Sequence, residues 1–308
     1  MKSVKKQGGF TLLELLVVVG LMAAVAVVAV STYDDADKGA AVATDLSNMQ
    51  SLDQGIRNYA GKHNGDYPNQ LDSLVTKAGG AYLKLDAETT DKLQALPVAG
   101  TVGAAILAAF ENNGVAELQF ILNNDAPSLF EKDPNAQHSE ASKNGVEDDA
   151  DTATNLTIVA NQLTAIPAVA GINTNITGAC TVDAVNYSAA NTLGGLAMTT
   201  ENTNILNSIS DSLEANNCNV VVALGVGGDA AANSEGAIGA TASDSVKDKA
   251  NTYSRYIALF QVAQDGIKTG VSDGVIDATE VFEKPRFVGI MNPLGEGTNQ
   301  LNSKKNAK

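Results

Sequence analysis

The sequence predicts an α+β protein, in which a long N-terminal helix carries a globular head built on a small antiparallel β-sheet. Three observations predict it. Residues 10–30 form an apolar run in which Glu14 is the only charged residue, and that length matches the ~20 apolar residues a helix needs to cross a bilayer core. Beyond it, Val42, Leu46, Met49, Leu52, Ile56 and Tyr59 recur at spacings of three and four, which marks one face of a continuing helix. The rest of the chain alternates Asn/Thr/Ala/Gly-rich stretches with short apolar runs. No helix of crossover type clearly links those runs, which favours antiparallel pairing.

The helix is expected over residues 10–62. Pro is absent until Pro68, Asn64-Gly65 reads as the stop, and Tyr67-Pro68 comes just past it. Its length would be roughly 80 Å at 1.5 Å per residue. The first half is apolar all round and the second amphipathic. That change assigns residues 10–30 to a membrane or filament core and the remainder to packing against the head.

The head is expected over residues 63–301. Residues 86–113 alternate helical patches with breaks at Pro97 and Gly100, and residues 117–122 alternate as a strand. Residues 133–154 turn polar and acidic, with Glu147, Asp148, Asp149 and Asp151 clustered, and read as an exposed loop. Ile205, Ile209 and Leu213 mark a helix. Residues 220–226, 256–262 and 287–291 read as strands, residues 228–245 as loop, and residues 302–308 as a solvated polar tail.

Composition narrows the function classes. Of the 308 residues 44% are hydrophobic but only 5% are aromatic and none is Trp, so the core must be aliphatic. The formal charge is −15. Such a surface repels nucleic acid phosphates and anionic lipid heads, so neither is an expected partner. Lys2, Lys5 and Lys6 precede the apolar run, which by the positive-inside tendency holds the N-terminus in the cytoplasm and exports the chain beyond residue 30. Asp34, Asp35 and Asp37 just beyond the span agree with that orientation.

The segment Gly8-Gly9-Phe10-Thr11-Leu12-Leu13-Glu14-Leu15-Leu16 closely resembles the leader of type IV prepilins: a short basic stretch, Gly before the cut, Phe after it, and Glu as the fifth mature residue. The resemblance covers about residues 5–30. It implies a pilin-like fold, removal of residues 1–9 by prepilin peptidase between Gly9 and Phe10, and methylation of the new amino group on Phe10. A small residue before the bond suits that cleavage. It further implies that Glu14 neutralises the positively charged terminus of an adjacent subunit. The physics agrees, because two opposite charges in a low-dielectric core each cost several kcal/mol alone and much less together. With the leader gone, removal of three of the 20 basic residues leaves 17 against 35 acidic ones. Partners implied are further copies or other pilin-like subunits in one filament, the peptidase, and an inner-membrane assembly platform. The chain departs from the pattern at Ser31, where many type IV pilins carry a helix-kinking Pro.

Pseudopilins of type II secretion share this leader. Residues 66–74 resemble the loop and short helix that come after their long helix, with Gly79-Gly80 as its end. A subunit of an exporting pseudopilus is therefore the alternative to a pilus subunit. A membrane-anchored periplasmic binding protein is the alternative from another class.

Other candidate chemistry is sparse. Export places Cys180 and Cys218 in an oxidising compartment where a disulfide persists, with two separate buried thiols as the alternative. Asp273, Gly274, Ile276, Asp277 and Glu280 match the second half of an EF-hand loop, which makes Asp273, Asp277 and Glu280 candidate calcium ligands. The loop's first and third positions fall on Thr269 and Val271, and Val cannot bind the ion; the alternative is a turn into a short helix capped by Asp277. Gly225-Val226-Gly227-Gly228 lacks the Lys and third glycine of a phosphate loop and reads as a turn. The two histidines, His63 and His138, sit in no catalytic pattern. The expectation is a structural protein without a cofactor other than calcium, and not an enzyme.

Overall fold

Thr11 opens a single helix, α1 (Leu12–Lys62). Its hydroxyl oxygen accepts from the Glu14 N–H at 3.3 Å, while the Glu14 carboxylate accepts from the Thr11 N–H at 2.9 Å. This reciprocal capping box satisfies donors that a helix start otherwise leaves bare. The helix continues unbroken through Ser31, as a sequence with no Pro in this stretch allows. It ends where expected: His63 is the cap, and Asn64 and Gly65 both take positive φ, at 58° and 89°. The computed structural model describes residues 11–76, 85–97, 100–121, 147–151, 162–166, 181–182, 185–186, 218–249 and 252–306. The helix expected around residues 205–213 lies outside them.

The head elements after it are β1 (Leu71–Thr76), α2 (Ala87–Thr90), β2 (Gln94–Pro97), α3 (Thr101–Glu111), β3 (Glu117–Ile121), β4 (Glu147–Asp151) and β5 (Gln162–Ile166). Next come β6 (Thr181–Val182), β7 (Val185–Asn186), β8 (Asn219–Gly225), α4 (Gly228–Ala232), β9 (Ile257–Gln264), β10 (Val275–Ile276), a 3₁₀ turn (Ala278–Glu280), β11 (Val281–Met291) and α5 (Thr298–Asn306). The main sheet runs β11-β9-β8-β1-β3-β4, with β5 joining β8 and β2 joining β5; β10, β6 and β7 form a second, three-stranded sheet. The α+β architecture is as the sequence predicts.

The main sheet is larger and more mixed than expected. Its eight strands include a parallel pair, β1 with β3, registered Leu71↔Leu118 to Ser73↔Phe120. A parallel pair needs a crossover, and the connection through α2, β2 and α3 supplies it. The expectation of a short helix within residues 66–74 is corrected here: Leu71–Thr76 is a strand, because it can pair with β3 on one side and meet β8 at Asp72↔Gly225 on the other. Residues 147–151, expected in an exposed loop, pair antiparallel with β3. Residues 302–306, expected in a solvated polar tail, instead end the helix α5, which docks on α1 through fully buried Leu301 and ties Lys304 to Glu296.

The strands centred on β8 and β9 carry the core. Every residue of β8 is buried, as are all but the last of β9, so both faces are covered and the sequence reads as a continuous apolar run rather than an alternation. Leu46, Met49, Leu52 and Ile56 of α1 and Val102, Ile106, Leu107 and Phe110 of α3 close over this sheet. Four aromatic rings meet at the centre: Phe260 lies 5.0 Å from Tyr67, 5.8 Å from Phe110 and 5.7 Å from Phe287. Gly55 is a close approach of α1 to the loop above α4; a Cβ there would meet the Ala237 carbonyl and fall 2.7 Å from Ile238 Cγ2.

Candidate functional site: the bare helix and its anchor

Among the described residues, nothing covers the first half of α1. Leu12–Val30 has a mean hydropathy of 2.8 and none of it is buried within the chain. Leu12, Leu16, Met22, Val27 and Val30 each remain more than half exposed. Nineteen residues rise about 28 Å, close to the thickness of a bilayer core. Glu14 stands one turn into this surface, exposed, with its carboxylate folded back on Thr11: Oε2 accepts from both the Thr11 N–H and hydroxyl at 2.9 Å. In the single chain the helix's own start therefore satisfies the lone charge of the apolar run. Sequence reasoning missed Thr11, although Thr-x-x-Glu before an apolar run is the signature of such a box.

The second half of α1 is held by a buried carboxylate. Asp45 is fully buried on the apolar face, next to Leu46 and one turn before Met49. Its Oδ1 accepts from the Tyr256 hydroxyl at 2.8 Å. Its Oδ2 accepts from the hydroxyls of Ser243 at 2.9 Å and Ser245 at 2.6 Å, and from the Asn292 amide at 3.4 Å. Three separate segments of the head thereby converge on one residue of the helix. Tyr256 also accepts from the Asn48 amide at 3.1 Å, and burial pushes its hydroxyl well above the usual range. Nearer the helix end, Arg57 holds Asp53 through two bonds of 2.8 and 3.2 Å and lies 5.0 Å over the Phe287 ring. The sequence signal was present: an Asp at a core-facing position of an amphipathic helix needs buried donors. Which donors was not readable.

A second buried carboxylate, Asp72 in β1, accepts from the Tyr253 hydroxyl at 2.6 Å. Burial raises its pKa to about 6, against the opposing pull of Arg255 and the Tyr253 bond. Gly227 packs directly against this carboxylate, leaving no room for a Cβ. The turn at residues 225–228 is thus glycine-rich because a side chain would strike Asp72 or Tyr253, a packing reason rather than a phosphate-binding one.

The half EF-hand segment has a geometry of its own. Glu280, nearly fully buried, accepts from the Gly266 N–H at 2.7 Å and from the Asp277 N–H at 3.2 Å. Asp277 and Glu280 form a capping box around the 3₁₀ turn. Asp273 accepts from the Val275 N–H at 2.9 Å. The loop's centre is Asp265, which accepts from the Ser272 hydroxyl at 2.7 Å and from the Gly274 and Asp273 N–H groups at 2.8 and 3.2 Å. Among the described residues, no three His, Cys, Asp or Glu side chains are placed to hold one ion. Cys218 is buried just before β8; Cys180, Gly9 and Phe10 lie outside the described residues.

One comparison with known proteins bears on this arrangement. A family model described as the prokaryotic N-terminal methylation motif matches residues 4–30. No curated protein and no solved structure matches the chain. The motif covers the basic start and the bare apolar helix and stops where the head-packed half approaches. The chain therefore carries, on a single N-terminal apolar helix, the prepilin signal of the type IV pilin and pseudopilin family.

Proposed function

We propose that this protein is a structural subunit of a type IV filament, cut between Gly9 and Phe10 and assembled through the apolar half of α1. The observation that carries the reading is the contrast along one continuous helix. Leu12–Val30 leaves its apolar surface uncovered, while the later turns are locked into the head by Asp45 and the Leu46–Ile56 face. A lipid bilayer covers the bare half before assembly, and the same half of neighbouring copies covers it afterwards. Removing such a surface from water or lipid by packing is on the scale of a strong obligate interface.

In this reading the head is exported and the leader stays cytoplasmic. Glu14 then exchanges its Thr11 donors for the charged terminus of a neighbour. That switch costs little, because a carboxylate already held by hydrogen bonds trades them for an ion pair. Cys218 pairs with Cys180 in the exported head. A surface pilus is favoured over a secretion pseudopilus, because the segment at residues 66–74 that suggested a pseudopilin is partly β-strand.

N-terminal mass spectrometry on fibres sheared from cells and on washed envelopes tests this. A methylated Phe10 in sheared fibres is the expected result. The processed terminus confined to envelopes would reassign the protein to a pseudopilus. An intact Met1, or normal function of Glu14→Ala in an unassembled chain, would make it a membrane-anchored binding protein instead.

A further inference from the structure

Just past the end of the bare span, α1 presents Tyr33 with its side chain 76% exposed. No other aromatic residue lies between Phe10 and Tyr59. Tyr59 stacks on His63, and the hydroxyls of Tyr67, Tyr253 and Tyr256 donate to Pro285, Asp72 and Asp45. Each of those four tyrosines is thus engaged in or beside the head. Tyr33 lies on the uncovered stretch of the helix, where Ala36, Asp37 and Lys38 are also exposed. The head begins to close over α1 at half-buried Gly39 and holds it fully at Asp45.

Helical rise converts these positions into depths. With Leu12–Val30 filling the bilayer core, Tyr33 stands about 4–5 Å beyond the core boundary. The headgroup layer on each side is roughly 5–7 Å thick, so the ring falls inside it. Gly39 lies about 9 Å further along the axis, which carries the head clear of that layer. A phenol suits the boundary, because its ring is apolar and its hydroxyl needs a hydrogen-bond partner. The next residues oppose deeper insertion: Asp34, Asp35 and Asp37 put three carboxylates within four positions of Tyr33, and a charge costs most where no water reaches it. The helix therefore has a residue that resists withdrawal and a group that resists sinking, one beside the other.

We propose that Tyr33 is an interfacial anchor that docks in the phospholipid headgroup layer and fixes the depth of α1, so that Glu14 falls within one turn of the opposite edge of the hydrocarbon core. Tyr33 and Glu14 are 19 positions apart, about 28 Å along a helix axis, against a core of roughly 30 Å. At that edge the Glu14 carboxylate, already bonded to the Thr11 N–H and hydroxyl, is far from the centre of the bilayer, where a charge is most costly. The inference rests on the bilayer-covered state of the bare helix in the reading above and deepens it, by naming what holds the helix there and at what depth.

The chain contains no Trp, so a single introduced indole reports its own depth. The full chain carrying Tyr33→Trp, and separately Leu21→Trp, is reconstituted in phosphatidylcholine vesicles with a nitroxide either on the headgroup or near the acyl-chain end. Tyr33→Trp is expected to be quenched more by the headgroup label, and Leu21→Trp more by the acyl-chain label. Adding Tyr33→Ser to the Leu21→Trp chain should raise its headgroup quenching relative to acyl-chain quenching, and Tyr33→Phe should do so less. Water-like emission from Tyr33→Trp without quenching, or stronger quenching from the acyl-chain label, would overturn the proposal while Leu21→Trp still reports a spanning helix. An unchanged ratio in the Tyr33→Ser chain would overturn it as well, since the residue would then mark the boundary without holding it. If neither label quenches Leu21→Trp, the bilayer-covered state itself falls, and this inference with it.

Discussion

The Tyr256 hydroxyl donates to Asp45 Oδ1 across 2.8 Å, joining the residue just before β9 to the middle of a helix 211 positions earlier. Around that bond the helix stops being a free apolar rod and becomes part of the head. Ser243, Ser245 and Asn292 complete the ring of donors. The carboxylate is buried without a lysine or arginine bonded to it among the described residues, so hydroxyls and an amide alone compensate its desolvation.

Asp45→Ala is therefore expected to destabilise the head by roughly 3–5 kcal/mol, since it strands several buried hydroxyls as well as removing their acceptor. Asp45→Asn should cost less, because an amide oxygen still accepts from Tyr256. Chemical denaturation of the full chain in detergent reads both. An Asp45→Ala protein as stable as the parent would show that the ring does not anchor the helix.

Gly55→Ala runs against helix propensity. In an exposed helix the change is worth up to about 1 kcal/mol in favour of Ala. Here the new methyl meets the Ala237 carbonyl and Ile238, both held in the packed turn beyond α4. The expected outcome is a loss of roughly 1–3 kcal/mol from overpacking, read as a lowered thermal midpoint.

Asp72 makes the head's stability depend on pH. Its folded pKa, about 6, lies above its ordinary value of 3.8. The protonated form is thus favoured by folding. That contribution is full below about pH 4 and is lost as pH rises through 6, leaving a cost of roughly 3 kcal/mol at neutral pH. Asp72→Asn, which keeps an acceptor for Tyr253, should raise stability at neutral pH and flatten this part of the profile. Denaturation midpoints across that range measure it; a variant that keeps the parent's slope would assign the dependence to other groups.

The loop at residues 265–280 separates two readings of its carboxylates. With Asp265 and Glu280 engaged by N–H donors, calcium added to chelator-treated protein is expected to leave the thermal midpoint unchanged. Asp265→Ala should lower it with or without the ion, through a stability loss on the order of 3 kcal/mol for charged bonds lost in a buried site. A calcium-dependent rise that disappears in Glu280→Gln would instead assign Asp273, Asp277 and Glu280 to a cation.

Much of the helix was legible in the chain because helical order is local. The apolar run, the face from Val42 to Tyr59, and the Asn64-Gly65 stop lie within a few residues of the contacts they make, and each appears where the sequence placed it. The strands at β3, β8 and β9 were legible for the same reason: β-branched and aromatic residues crowd into short stretches bounded by turns. Residues 4–30 alone also match the prokaryotic N-terminal methylation motif.

What the sequence alone could not decide depends on partners far along the chain. Leu71–Thr76 is a strand because β3, which begins more than 40 residues later, lies parallel beside it. The C-terminal segment is a docked helix because α1 offers Leu301 a place to bury. Asp45 is an anchor, and Glu280 a brace for Gly266, only because folding brings their donors within hydrogen-bond distance. Periodicity sets which face of an element is apolar, at a range of a few residues; the identity of the buried group's partner is set by topology, and that exists only once the sheet has formed.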